Sequence, residues 1–295
     1  NTENPRTSKT SSVPRSRTQP EPPEFFVDRS LGRHLLPDAL RQAGFTTHTL
    51  ASVYGEDRAF FDTILQSAPQ TNETRRTMAL LPAFLSVANG DAPLHMLEIG
   101  ASAGLNLSWD KFAYKTGSWS WPARAAANAP LIDTEWRGAA PSYLGPLNVA
   151  SRAGCDLNPM DVADPAQRTK LAAYIWADQA ERIARFERAA DLAIRESVRV
   201  ERADAAEWVA RKLSGPLPQG VTILYHSVVW QYFPEETKAR VIAAIEVAAT
   251  RGDANHRLAW VRFEHDRVLG KNSDNYSVDA RIWPDSEHRM VAHAD

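Results

Sequence analysis

A single cysteine, Cys155, in 295 residues has nothing to pair with inside the chain, which excludes an intramolecular disulfide. There is no C-x-x-C pair and no His-x-x-x-His spacing, so structural zinc is not expected and no metal is assigned. No apolar run approaches the roughly 18 residues of a membrane span, and no apolar signal core stands near residue 1. Neither sign of charge dominates: 34 Lys and Arg stand against 36 Asp and Glu, a formal net charge of -2. The bulk positive field that draws proteins onto nucleic acid is therefore missing, and a nucleic-acid partner is not expected. No internal repeat is present. Together these absences lead to the expectation of a cytoplasmic protein without a membrane partner.

What is present is a chain with 43% hydrophobic residues, enough to bury a core in one large domain plus a tail. Residues 1–24, rich in Ser, Thr, Pro and Arg without apolar periodicity, are expected to be a disordered, mildly basic leader. Residues 25–56 read as a β-α-β unit: a strand at Phe25 to Val27, a helix carrying Leu35, Leu36, Ala39 and Leu40, and a strand near Thr46 to Leu50. This segment resembles the opening of a PIN-like toxin nuclease, in which an aspartate matching Asp28 helps to hold the catalytic metal. The further carboxylates that such a metal needs have no counterparts after Glu56 and Asp57.

From Asp57 onward the pattern is a regular α/β alternation. Helices are predicted at Asp57 to Gln66, and after Thr71-Asn72-Glu73 with Met78, Leu81, Phe84, Leu85 and Ala88 on one side, stopped by Asn89-Gly90. More follow at Pro165 to Trp176, Asp178 to Glu196, Ala205 to Leu213 and Glu235 to Arg251. Strands are predicted at His95 to Ile99, Ala150 to Asp156, Ser197 to Arg202, Val221 to His226 and Arg257 to Glu264, then a hairpin of Asp279 to Trp283 with His288 to Ala292. The expected fold is α/β: a Rossmann-like, doubly wound, mostly parallel sheet with an antiparallel C-terminal hairpin, occupying 57–295.

The stretch "LEIGASAGLNL", residues 97–107, can be parsed in two ways. Gly100-Ala101-Ser102-Ala103-Gly104 fits G-x-S-x-G, the elbow that presents a nucleophilic serine, and Ser102, Asp204 and His226 follow in hydrolase order. Too little sheet precedes Ser102 for such an elbow. Glu98 to Gly104 instead fits E-x-G-x-x-x-G, a cofactor loop in which Gly100 and Gly104 let the backbone approach a ligand, and a helix starting near Leu105 points its positive end into the same crevice. Asp156 then ends the second strand, where ribose hydroxyls are received, and Asp204 follows the third, beside a base. Asp156 stands 58 residues after Glu98, against about 20 in an uninterrupted dinucleotide fold. The excess, about 114–148 with Tyr114, Trp119, Trp121, Trp136 and Tyr143, is read as an inserted cap.

The arrangement resembles class I S-adenosylmethionine-dependent methyltransferases. More closely, the chain resembles a bacterial family known as domain of unknown function 2332. The phrases "QTNETRR" (70–76), "LEIGASAGLNLSWDKFAY" (97–114), "GCDLNPMDVADPAQRTKLAAYIWADQAER" (154–182), "HSVVWQYFP" (226–234) and "RIWPDSEHRMVAH" (281–293) carry that likeness. It implies S-adenosylmethionine as cofactor, a small-molecule substrate, and Glu98, Gly100, Ala101, Ser102, Gly104, Asp156 and Asp204 as cofactor residues. It also implies a last strand beyond Asp295.

Each candidate has a structural alternative. Asp156 could initiate an Asx turn and Asp204 could cap the helix at Ala205. His226 is the candidate base, since imidazole titrates near neutral pH, or else a core histidine satisfied by a partner. Trp230, Gln231 and Tyr232, with Asn106, Trp109 and Asp110, are candidates for an acceptor pocket, or for packing. Trp176, Asp178 and Gln179 form a secondary group, in which Asp178 and Arg182 have the i, i+4 spacing of a surface ion pair. The rival functions are a non-catalytic cofactor binder, a serine hydrolase through Ser102 and a nuclease remnant.

Overall fold

In the computed structural model, described over residues 70–88, 90–176 and 178–294, the apolar segments pair into one central sheet. The expected leader, the PIN-like unit with Asp28, and the helix at Asp57 to Gln66 lie outside the described residues. Residues Ala68–Asp295 form one compact unit.

In chain order, helix α1 (Arg76–Val87) precedes strand β1 (Leu94–Ile99), a 3-10 helix (Leu105–Lys111), and the short strands β2 (Ala113–Lys115), β3 (Ser120–Trp121) and β4 (Leu131–Asp133). Then come β5 (Val149–Asp156), α2 (Pro165–Ala172), α3 (Ala180–Arg195), β6 (Val200–Arg202) and α4 (Ala205–Lys212). The chain continues through β7 (Gly220–Ser227), α5 (Glu235–Ala249), β8 (His256–His265), β9 (Tyr276–Trp283) and β10 (Glu287–Ala294).

Seven strands lie in the order β10-β9-β8-β7-β1-β5-β6. The five from β6 to β8 are parallel, and β9 and β10 add an antiparallel pair at the β8 edge. Taken by chain order, the parallel strands stand third, second, first, fourth, fifth. Successive crossovers therefore reverse between β1 and β7, the place in an open parallel sheet at whose carboxyl ends ligands bind.

Strand alternation divides the core in two. Leu94 and Met96 of β1, Val221, Ile223 and Tyr225 of β7, and Val261 and Phe263 of β8 face α1, α3 and the β2-β3-β4 insertion. Ile99, Leu224, Leu258 and Trp260 face α4 and α5. Because β7 is central, all eight of its residues are buried, polar ones included. On α1, Leu80, Leu81, Phe84 and Leu85 are buried and the helix lies across β8, β9 and β10.

Two expectations require correction. No α-helix follows the glycine loop; the chain makes a seven-residue 3-10 helix broken at Ser108 (φ -100°, ψ 23°). Its Leu105, Leu107 and Trp109 are drawn into the core, which a continuous helix would turn partly outward. The third strand begins at Val200 rather than Ser197, because Ser197 takes φ +52° and Val198 N–H closes onto Ala193 O (2.9 Å), a left-handed stop for α3. The segment read as a cap folds as the three-stranded sheet β3-β2-β4, and its Tyr114, Trp119 and Trp121 join the core beside Trp109 and Phe84.

Candidate functional site

The loop after β1 is shaped by close approach. Gly100 has φ +69° and Gly104 φ +72°; a methyl at the first would sit 2.5 Å from Val229, and at the second 2.8 Å from Val198 and Val200. Both positions are thus closed to side chains by backbone angle and by space.

Every backbone N–H from Ala101 to Gly104 is already in use. Ala101 donates to Cys155 O (3.0 Å), Ser102 to Asp156 Oδ2 (2.9 Å), Ala103 to Asn72 Oδ1 (3.2 Å) and Gly104 to Ala101 O (2.7 Å). The Ser102 hydroxyl lies between two amides, donating to Gln70 Oε1 (2.6 Å) and accepting from Asn72 Nδ2 (2.5 Å). Residues 70–72 therefore latch onto the loop. Among the described residues no histidine bonds Ser102, and the hydrolase trio is not assembled: Asp204 caps α4 and His226 bonds Glu264.

Asp156 ends β5, with Oδ2 on Ser102 N–H and Oδ1 on Asn158 N–H (2.8 Å), an Asx turn that also braces the loop. Asp204 follows β6, its Oδ1 taking Ala206 N–H (2.9 Å) and Glu207 N–H (3.1 Å). Both acids stand at carboxyl ends of parallel strands on the same sheet edge as Glu98. Beside Asp156, Leu157 is 62% exposed.

Glu98 is buried on the α1 side, where Tyr225 donates to its Oε2 (3.2 Å). Burial pushes its carboxyl up to about 8, against the pull of the Tyr225 hydroxyl and the Arg76 charge. Near neutral pH it is predominantly a neutral acid. The carbonyl of Asn106 lies 3.5 Å from the Tyr225 hydroxyl, while its side-chain Oδ1 is buried with no partner among the described residues. Arg76 completes this end: it donates to Ser227 O (3.0 Å) at the end of β7 and to Thr71 Oγ1 (3.2 Å).

The other candidates disperse. His226 points to the α4-α5 side, fully buried, with Nδ1 2.7 Å from Glu264 Oε1 and its ring stacked on Trp230 at 5.0 Å. The same Glu264 oxygen accepts Val229 and Trp230 N–H, so the pair holds the turn after β7. Trp109 is buried between Phe84 and Trp121, and Asp110 grips Arg152 through both oxygens (2.8 and 3.1 Å). Gln231 and Tyr232 are exposed, Tyr232 to 72%.

Asp178 and Gln179 lie in a separate cleft of about 470 Å³ with Glu73, Arg75, Arg182 and Arg185, and Trp176 Nε1 is buried without a partner among the described residues. The expected Asp178 to Arg182 pair is not formed. Asp178 precedes α3, and Arg182 turns to Glu73 (2.5 Å), which also takes Arg185 (3.2 Å). Among the described residues no group of three or more His, Cys, Asp or Glu could hold a metal ion, and no helix is long and apolar enough to cross a membrane.

Reading residues singly missed Gln70, Asn72 and Arg76, while Tyr225, expected at the end of the fourth strand beside the crevice, does meet Glu98 there. For Arg76 a signal existed: "TRR" places two arginines where a helix starts, a position that favours acids.

No curated protein matches the chain. A family described as uncharacterized protein conserved in bacteria (DUF2332) matches residues 36–295, a span that starts inside the segment read as PIN-like and takes in the loop after β1, both strand-end acids and the C-terminal hairpin. The chain belongs to that family.

Proposed function

We propose that this protein binds S-adenosylmethionine in the crevice between β1 and β7 and transfers its methyl group to a small molecule. The observation that carries the reading is the row of acids at successive parallel strand ends, Glu98, Asp156 and Asp204, around an E-x-G-x-x-x-G loop at the crossover reversal. Three features support the fit of this cofactor. Each Asp156 oxygen keeps acceptor capacity for ribose hydroxyls, and Leu157 offers an exposed apolar face to a base. Among the described residues Asn106 Oδ1 meets no donor, and an ammonium would supply one. The loop N–H groups from Ala101 to Gly104 are spent inside the protein, which favours a nucleoside cofactor without a diphosphate over a dinucleotide.

When bound, the cofactor supplies an activated methyl on sulfur; the chain aligns it and excludes water. Glu98, neutral near pH 7, would offer a hydrogen bond rather than a charge. A second reading, a binder without transfer chemistry, is favoured by His226, whose ring is buried on the far side of the sheet and bonded to Glu264.

Calorimetric titration of the full chain with S-adenosylhomocysteine tests the binding. Saturable heat is expected, weakened about tenfold or more in Leu157→Glu with the melting temperature unchanged. No heat from folded protein sinks both readings. Transfer of labelled methyl to any of a panel of small nucleophiles would separate the enzyme from the binder.

A further inference from the structure

Most half-buried arginines of the described chain meet a carboxylate: Arg152 has Asp110, Arg168 has Glu187, Arg182 and Arg185 share Glu73, Arg262 has Asp279 and Arg289 has Glu287. Arg251 instead closes on the carbonyls of Val247 and Leu213 at the end of α5. Arg76 does neither. Two of its five N–H donors reach neutral acceptors, Ser227 O and Thr71 Oγ1, and among the described residues no carboxylate lies within 4 Å. It is also the first residue of α1, after Arg75, in a first turn without an acid and without a side-chain cap, so its charge adds to the positive end of the helix. Desolvation is severe enough to lower its pKa, with Glu73, Glu264, Tyr276 and Tyr232 the groups whose charge opposes that fall. An unmatched guanidinium in such a place is costly unless an anion reaches it.

Its position says which anion. Ser227 ends β7, Tyr232 lies in the turn after it, and Glu264 and Tyr276 belong to β8 and β9, whereas Asp156 and Asp204 stand at the ends of β5 and β6, across the glycine loop that Thr71 adjoins. We infer that Arg76 receives the carboxylate of the acceptor, so that the substrates of this site are small monocarboxylates, held by a planar fork whose orientation is fixed by Thr71 and Ser227. A single guanidinium matches one negative charge better than two. The inference rests on the proposed function for the word acceptor, and on Arg76 alone for the word carboxylate.

The test uses the full chain at constant ionic strength, with acetate and benzoate as probes and acetamide and benzamide as uncharged controls. The carboxylates are expected to raise the melting temperature and the amides to leave it unchanged, with the response lost in Arg76→Met. Should that variant not fold, Arg76→Lys keeps the charge without the fork and should bind the carboxylates about tenfold more weakly. Equal responses to acids and amides, or a response that survives Arg76→Met, would overturn the site. A second arm measures S-adenosylhomocysteine: unchanged affinity in Arg76→Met supports the acceptor assignment. Loss of affinity would overturn it by giving Arg76 to the amino-acid carboxylate of the cofactor. If S-adenosylhomocysteine fails to bind the wild type, the proposed function falls, while the probe arm still decides whether Arg76 is a carboxylate site.

Discussion

Glu98 shows how one residue can hold both a stability term and a functional one. Its carboxyl titrates at about 8 in the folded chain, against an ordinary value of 4.5, because burial penalises the anion more than Tyr225 and Arg76 favour it. The folded state therefore keeps its proton longer than the unfolded chain. Stability from this group is complete below pH 4.5 and drains as the pH rises through about 8, at a slope of about 1.4 kcal/mol per pH unit within that window. Glu98→Gln stays neutral throughout and still accepts from Tyr225. Melting curves should thus coincide near pH 5 (roughly) and separate near pH 9 (roughly), where the variant melts higher. Parallel curves across that range would show that the wild-type carboxyl ionises without cost. The sequence placed Glu98 at the mouth of the crevice, but its burial depends on Tyr225, 127 positions later, which no local pattern announces.

At the scale of elements, what local chemistry specifies was legible and what distant partners specify was not. Helix α4 opens with Asp204 accepting two N–H groups, and α2 with Asp164 doing the same, as short polar side chains before apolar periodicity predict. Asp204→Ala should accordingly cost about 1 kcal/mol of stability by denaturant titration. A change well below that would mean that its carboxylate contributes little as a cap. Strands β7 and β8 were readable from their apolar runs and the hairpin from Pro284-Asp285. By contrast, the glycine loop alone suggested a following helix, and only the pull of Trp109 toward Phe84 and Trp121 makes it a broken 3-10 turn. The i, i+4 rule likewise paired Asp178 with Arg182, but Glu73, more than a hundred residues earlier, wins because it bridges two arginines at once.

For the whole molecule, the sheet joins segments from opposite ends of the described chain. Helix α1 lies over β8, β9 and β10; Arg289 of β10 donates to Ser86 O (2.6 Å), and Arg257 of β8 reaches Val87 O (3.5 Å). Within the edge, Asp279 of β9 takes Arg262 of β8 at 2.8 Å and His288 of β10 at 3.0 Å, while Arg262 lies 4.7 Å from the Trp260 ring. The antiparallel pair is thus part of the core: Val278, Ala280 and Ile282 are buried in the same cluster as Leu81, Phe84 and Leu85. Shortening the chain to end at Ser273 removes β9 and β10 and leaves α1 and the β8 edge with an open apolar surface. Because the crevice lies between α1, β1 and β7, that loss reaches the site through α1, which carries Arg76. The shortened chain should lose its cooperative melting transition, bind an apolar dye while native, and fail to respond to benzoate. A sharp transition with dye binding no greater than in the full chain would show that the parallel strands stand without their antiparallel edge, and that α1 is held from the β1 side instead.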